Sequence, residues 1–257
     1  MNASTLSSSC AHSSLGAQTD MLSRYAGYFR TQLANSPALL RIAQAIRYQV
    51  YCLERKFEDQ AEHDDCLERD VFDDRSIHAL IFHRATQEAI GTARLIPFSD
   101  ADLLQPIRKL LRENGLRARD HVPLATTAEI SRFAISNHFR RRVGDNGAKE
   151  ALASECRGNL PCLGLIQELL RQSVARGVTH WAAVMEPKLL RMLAAMGIHF
   201  TPVGPLVDHH GLRQPSYCSL SQMLERMKNE RPDHWMVVTD AGALMPGNFA
   251  AQEQRAA

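Results

Sequence analysis

Residues 126–136, TTAEISRFAIS, have the β-branched and aromatic content of a strand, yet they carry Glu129 and Arg132. A carboxylate is the residue type for a general base, and a guanidinium can hold a carboxylate through two parallel hydrogen bonds. In a regular strand the two would point to opposite faces, and they converge only where a bulge intervenes. Three other clusters have comparable potential. Arg47 and Tyr51 are four residues apart, on one face of a helix, and Phe57 follows them. The simpler reading of that cluster is a solvated arginine beside a half-buried aromatic. LERDVFDD gathers Glu68, Asp70, Asp73 and Asp74. Carboxylates this close repel one another unless a cation or an amine sits among them. A solvated acidic loop, an amine pocket and a metal site all remain open, although the spacing is not that of a calcium loop. Arg94, in GTARL, either faces solvent or anchors a carboxylate.

The elements that must position these groups read as follows. Ser36-Pro37 is an N-cap with proline at the first helical position. Leu39, Ile42, Ala43, Ile46, Val50 and Leu53 then give one buried helical face. EDQAEHDDCLERDVFDD is too polar for a core element and reads as a loop. SIHALIFHR and AIGTARLIPF form a β-hairpin. A short basic helix covers Pro106 to Glu113, and a basic, Gly-containing loop runs from Arg140 to Gly147. LGLIQELLRQSVARG is an amphipathic helix ended by Gly177, and VTHWAAVM is a buried strand. PKLLRMLAAMG is a helix between Pro187 and Gly197, and IHFTPVG is another strand. Ser219 and Gln222 suggest a capping box before a final helix, QMLERMKNE. This α/β order suits one domain with helices packed on a mixed central sheet.

Composition removes several classes. The chain has 257 residues, 45% hydrophobic and 23% charged, with a net charge of +2. That is an ordinary globular balance and not that of a general nucleic-acid binder. The six cysteines form no CxxC pair and no metal-ligand spacing, so reduced thiols in a cytoplasmic protein are expected. Cys52 reads as a small core residue, and the adjacent His209 and His210 make a poor metal pair. No apolar run is long enough for a membrane span. The Ser-rich start lacks the features of a signal peptide, so residues 1–24 are expected to be a disordered tail and residues 25–257 the domain.

Taken in order, the four clusters resemble the acyl-homoserine lactone synthase pattern within the GNAT acyltransferase superfamily. The matching positions are Arg47, Tyr51, Phe57, the E-x-D-x-F-D set of Glu68, Asp70 and Asp73, Arg94, Glu129 and Arg132. Phe57 departs from the tryptophan usual in those synthases. The C-terminal half is more similar to long-chain N-acyl amino acid synthases and to acyltransferases associated with the PEP-CTERM/exosortase system. RYQVYCLER and HGLRQP resemble the latter group most.

The resemblance implies a GNAT-like fold: a single domain with a mixed, twisted central sheet flanked by helices and opened to admit a thioester. It implies transfer of a fatty acyl group from acyl carrier protein or coenzyme A to a small-molecule amine such as an amino acid, with no permanently bound cofactor. Glu129 would be the general base and Arg132 would order it or the acidic loop. Arg47 and Arg94 would pair with Asp70 and Asp73. Tyr51, Phe57 and Glu68 would line the acceptor pocket. Ser131, Phe133 and Ala134 would lie along the pantetheine arm. The run Arg140, Arg141, Arg142 and Gly144 would meet a phosphate or an acidic carrier protein, though Asn146 stands where glycine or alanine is usual in a pyrophosphate loop. Lactone synthesis from S-adenosylmethionine and a non-catalytic thioester-binding module are the competing expectations.

Overall fold

The computed structural model describes residues 21–98, 106–113, 123–137, 160–208 and 211–245. Its centre is one open, mostly antiparallel sheet of eight strands. These are β1 (Phe29–Leu33), β2 (Ile77–His83), β3 (Ala89–Pro97), β4 (Thr127–Ile135), β5 (His180–Met185), β6 (Thr201–Pro202), β7 (Val207–Asp208) and β8 (Leu212–Ser219). They lie in the order β1-β2-β3-β4-β5-β8-β6, with β7 also paired to β8. Only β4 and β5 run parallel. The helices are α1 (21–28), α2 (Pro37–Tyr48), α3 (Pro106–Glu113), α4 (Leu160–Val174), α5 (Pro187–Ala195), α6 (Leu220–Glu230) and α7 (Pro232–Val238). No described helix is long and apolar enough to cross a membrane. α1 runs across the expected tail boundary at residue 24.

The main core lies on one face of the sheet. There Leu163, Ile166, Leu169 and Leu170 of α4 pack on Ala79, Ile81, Ala93, Leu95 and Ile130 of β2–β4. Sequence periodicity suggests an amphipathic α4, but the helix is buried on nearly every side. Its polar residues are therefore bonded inward: Gln167 donates to the Val237 carbonyl at 2.6 Å, and Ser173 accepts from Trp181 Nε1 at 2.8 Å. The opposite face carries α2, through Ala43 and Ile46 on Leu80, Phe82 and Ala134, and α3, through Ile107 and Leu111 on Ala182.

Ser36 caps α2 as expected, its hydroxyl accepting from the Leu39 amide at 3.3 Å. The helix then loosens into a π-helical turn, Gln49–Glu54. The buried face of α2 itself differs from the one read from the sequence. Ile42 and Leu53 are exposed, and Gln44 and Arg47 are buried in their place. Ser219 occupies the N-cap of α6 but its side chain makes no capping bond, so the expected capping box is absent; it faces the Ser221 hydroxyl at 3.2 Å instead. α6 is also not final, because α7 follows it. The strand expected over IHFTPVG shrinks to Thr201–Pro202.

Two irregularities in β4 shape the site. Opposite β3 the register slips: Arg94 pairs with Ser131, but Thr92 pairs with Ala134, so one extra residue bulges from β4. Arg132 takes it up with φ +50°. On the other side, β4 pairs with β5 only over Thr127–Ile130, against His180–Ala183. Beyond that, β4 runs on to Ile135 paired only with β3, while Val184 and Met185 pair with β8. The sheet therefore divides between β4 and β5, with the bulge on the lip of the division.

Candidate active site

The bulge resolves the geometry of the opening strand. Glu129 and Ser131 alternate onto the α2/α3 face, and the extra residue turns Arg132 onto that face too. Both charges thus lie on one side of the sheet, but they do not bond each other.

Arg132 enters a buried network. Its Nε and Nη2 each lie 3.0 Å from Glu68 Oε1, and Nη2 is 3.3 Å from Asp70 and 3.7 Å from Glu58. Arg94 Nη1 donates to Asp70 at 2.5 Å and to Asp73 at 2.8 Å, while its Nε donates to the Ser131 hydroxyl at 3.0 Å. Arg47, fully buried at 0% exposure, pairs with Glu68 and, at 2.6 Å, with Asp73. Arg47 and Arg94 thus pair with Asp70 and Asp73 as expected, and Glu68 is a further partner of Arg47. Gln44 donates to Asp73 at 3.1 Å, and the Glu68 amide donates to the Gln44 carbonyl at 3.2 Å.

The acidic segment is irregular, as its polarity suggests, but Glu68 and Asp73 are buried. A lone buried carboxylate would be prohibitively costly, and here each is matched by guanidinium groups. Burial works to raise the pKa of Asp70, but the hydrogen bond and charge of Arg94, with the charge of Arg132, hold it down at about 2. Burial acts the same way on Glu68 and Asp73, and their arginine partners again keep both below the ordinary carboxylate value. Burial disfavours the Arg132 charge, yet Glu68 and Asp70 raise its pKa above the ordinary value. The solvated reading of Arg47 therefore fails.

Aromatic rings line the side of this network. Tyr51 donates to the Phe133 carbonyl at 3.1 Å, Arg132 lies over its ring at 5.7 Å, and its centroid is 6.2 Å from that of Phe57. Ala134 packs under α2.

Glu129 stands apart. It is 1% exposed, beside Ile96 of β3 and Ala182 of β5, and Oε2 accepts from the Ile107 amide in the first turn of α3 at 3.1 Å. No other hydrogen bond reaches its carboxyl among the described residues. Burial raises its pKa to about 7, opposed in part by the Ile107 amide, Arg94 and Arg132. The site thus holds carboxylates fixed as anions and one carboxyl that titrates near neutrality. Such a split separates structural charges from a group able to move a proton.

Arg140, Arg141, Arg142 and Gly144, like His209 and His210, lie outside the described residues. Among the described residues no three His, Cys, Asp or Glu side chains form a metal-binding group. Cys52, Cys66, Cys162 and Cys218 are free thiols, and burial pushes Cys52 up to about 11. Sequence reading missed Gln44, Glu58 and His78. Gln44 had a signal, lying one turn before Arg47 on the same helical face. His78, whose Nε2 lies 3.2 Å from the Asp73 carbonyl, had none.

This sheet, divided between two parallel strands with a bulge at the lip, is the GNAT architecture. The match is also carried by sequence: residues 46–148 match the family described as an acetyltransferase (GNAT) domain. Among solved structures, the chain is similar to TofI, crystallised in a ternary complex with an inhibitor and MTA (TM-score 0.56, 21% identity, 77% of this chain and 96% of that one). It is also similar to the AHL synthase LasI (TM-score 0.53, 21% identity, 74% and 89%). A third is FeeM, an N-acyl amino acid synthase from uncultured soil microbes (TM-score 0.50, 14% identity, 77% and 93%). No match was found among the curated proteins.

Proposed function

We propose that the protein is an N-acyltransferase that moves a fatty acyl group from a thioester, on acyl carrier protein or coenzyme A, to a small amine such as an amino acid. The observation that carries this reading is Glu129: a buried carboxyl with a pKa of about 7, beside the sheet division and on the same face as the charge network. The GNAT domain match and the likeness to a named N-acyl amino acid synthase support the same reaction class.

In the proposed step the thioester enters the division between β4 and β5, its carbonyl beside the bulge at Arg132 and Phe133. The β5-facing edge of β4 has no paired strand there among the described residues, which leaves main-chain donors to meet the carbonyl oxygen as it gains charge. The amine nitrogen attacks the carbonyl carbon, a C–N bond forms, and the C–S bond breaks. The proton lost by nitrogen passes to the Glu129 carboxylate, directly or through one water, and then to the departing thiolate. The Ile107 amide fixes one oxygen of Glu129 and leaves the other for the amine. Arg47, Arg94 and Arg132 hold the acidic segment as a rigid wall rather than taking part in proton transfer.

The test is incubation with an acyl thioester and a panel of amines, with products read by mass spectrometry. The wild type should give N-acyl amines. Glu129→Gln should lower kcat by about 100-fold or more while retaining thioester binding, as general-base catalysis is worth roughly 10²–10⁴. A wild type that binds thioester but acylates no amine defeats the enzyme reading. Lactone formation with release of methylthioadenosine from S-adenosylmethionine would replace it with signal synthesis.

A further inference from the structure

A stack of side chains spans the sheet division. Arg132 lies over Tyr51, Tyr51 lies beside Phe57, and Arg213 lies over Phe57 at 5.0 Å from the ring centroid. The first three come from the α2 and β4 side, whereas Arg213 comes from β8, beyond the division. Pairing sets Tyr217 opposite Ala182 and Pro215 opposite Val184, and strand alternation carries Arg213 onto that same face. This is also the face of Glu129, whose neighbour in β5 is Ala182. Arg213 therefore closes the end of the site opposite the acidic network.

Its fork is only partly committed. Nη1 lies 3.3 Å from Glu186 Oε1 and donates to the Leu212 carbonyl at 3.2 Å. Nε and Nη2 make no hydrogen bond among the described residues. These two nitrogens form one edge of the guanidinium, and their parallel N–H groups match the two oxygens of a carboxylate. The side chain is 12% exposed, so a ligand can reach that edge while most of the group is already desolvated. Arg47 and Arg94 differ: they spend Nε and Nη1 on the network, and each keeps a single unbonded Nη2 sealed in the interior. Stacking on Phe57 and the bond to Glu186 hold the Arg213 edge in place before any ligand arrives, which lowers the ordering cost of binding.

We propose that Arg213 binds the carboxylate of the amine acceptor and so selects acceptors that carry an acid group. This rests on the acyltransfer reading above. It places the acceptor lengthwise on the sheet, its nitrogen toward Glu129 and its acid toward β8. Glu186 limits the charge the edge will take, favouring a monoanionic carboxylate over a dianionic phosphate of the donor.

The test compares an amino acid with its carboxamide as acceptors, at saturating acyl thioester, in wild type, Arg213→Gln and Arg213→Lys. Loss of a bidentate charged contact should lower kcat/KM for the free acid about 10- to 100-fold, chiefly through KM. The carboxamide should lose less than about threefold, and Arg213→Lys should recover part of the acid's loss. Melting temperatures of the variants confirm that each is folded. Equal losses on acid and amide would reduce Arg213 to a brace for Phe57 and overturn the proposal. A rise confined to the KM of the thioester would assign the edge to the donor and also overturn it. Acylation of no amine by the wild type removes the parent reading; acylation that ignores Arg213 removes only this one.

Discussion

Replacing Glu129 by Gln should stabilise the protein above neutral pH while it lowers the proposed turnover by about 100-fold or more. Glu129 has an ordinary pKa of 4.5 when solvated and about 7 in the fold, the rise being caused first by burial. Between those values the native state holds a proton that the unfolded chain has released, so stability falls as pH rises through the interval. Below about pH 4.5 both states are protonated and no stability is lost, and above about pH 7 the loss is complete. At 1.36 kcal/mol for each pH unit, the gap corresponds to about 3 kcal/mol, of which roughly 2–3 kcal/mol falls between pH 5 and pH 8. Gln keeps an oxygen that can accept from the Ile107 amide, so the substitution removes the charge and leaves the hydrogen bond. Urea unfolding of both proteins at pH 5 and pH 8 measures the effect, because every other titrating group cancels in the difference between them. The stability advantage of Glu129→Gln should grow by about 2–3 kcal/mol on going to pH 8. A difference equal at the two pH values would mean that Glu129 does not titrate near neutrality. It would then lose its case as the base.

Two further outcomes follow from packing and charge. Arg47→Leu leaves Glu68 and Asp73 short of a partner in the interior and should cost about 3–5 kcal/mol in urea unfolding, whereas Arg41→Leu, on the exposed side of α2, should stay within about 0.5 kcal/mol. Gly91→Ala would set a Cβ 2.9 Å from the Ala134 carbonyl and 3.1 Å from both Ile81 and Ile135, so it should destabilise by about 1–3 kcal/mol and lower the melting temperature.

Much of the frame could be read from residue spacing, because its elements obey one period each. The hairpin of β2 and β3, the Ser36-capped α2, α3 and β5 all lie where their patterns place them. β8, which was not read as a strand, breaks its period. β8 carries Leu212, Arg213, Gln214 and Pro215, a charge and a proline where a central strand usually has neither. Pro215 is accommodated because its carbonyl still accepts from the Val203 amide at 3.0 Å. Nothing local in HGLRQP indicates a strand beside β5, so Arg213 could be noticed in the sequence but not placed. Arg47 shows the converse. Its spacing to Tyr51 was legible, but its complete burial was not. Burial depends on carboxylates more than twenty residues away, and only the folded chain brings them together.

The bulge at Arg132 is what converts these separate parts into one site. With a regular β4, Arg132 would turn to the α4 face and enter an apolar core of Ile81, Leu95 and Ile130 with no carboxylate to meet it. Glu68 and Asp70 would lose the cation that bridges them, and the acidic segment would lack its anchor on the sheet. The same extra residue ends the regular ladder just where β4 parts from β5, which frees the strand edge beside the division. A left-handed backbone at a non-glycine residue costs of order 1–3 kcal/mol and persists only when its surroundings impose it. At Arg132 they do, since three carboxylates and the Tyr51 ring hold its side chain in the bulged position. The strain is thus balanced by the charges that the bulge itself brings together. The buried charge network, the free strand edge beside the division and the placement of Glu129 and Arg132 on one face then depend on one backbone irregularity.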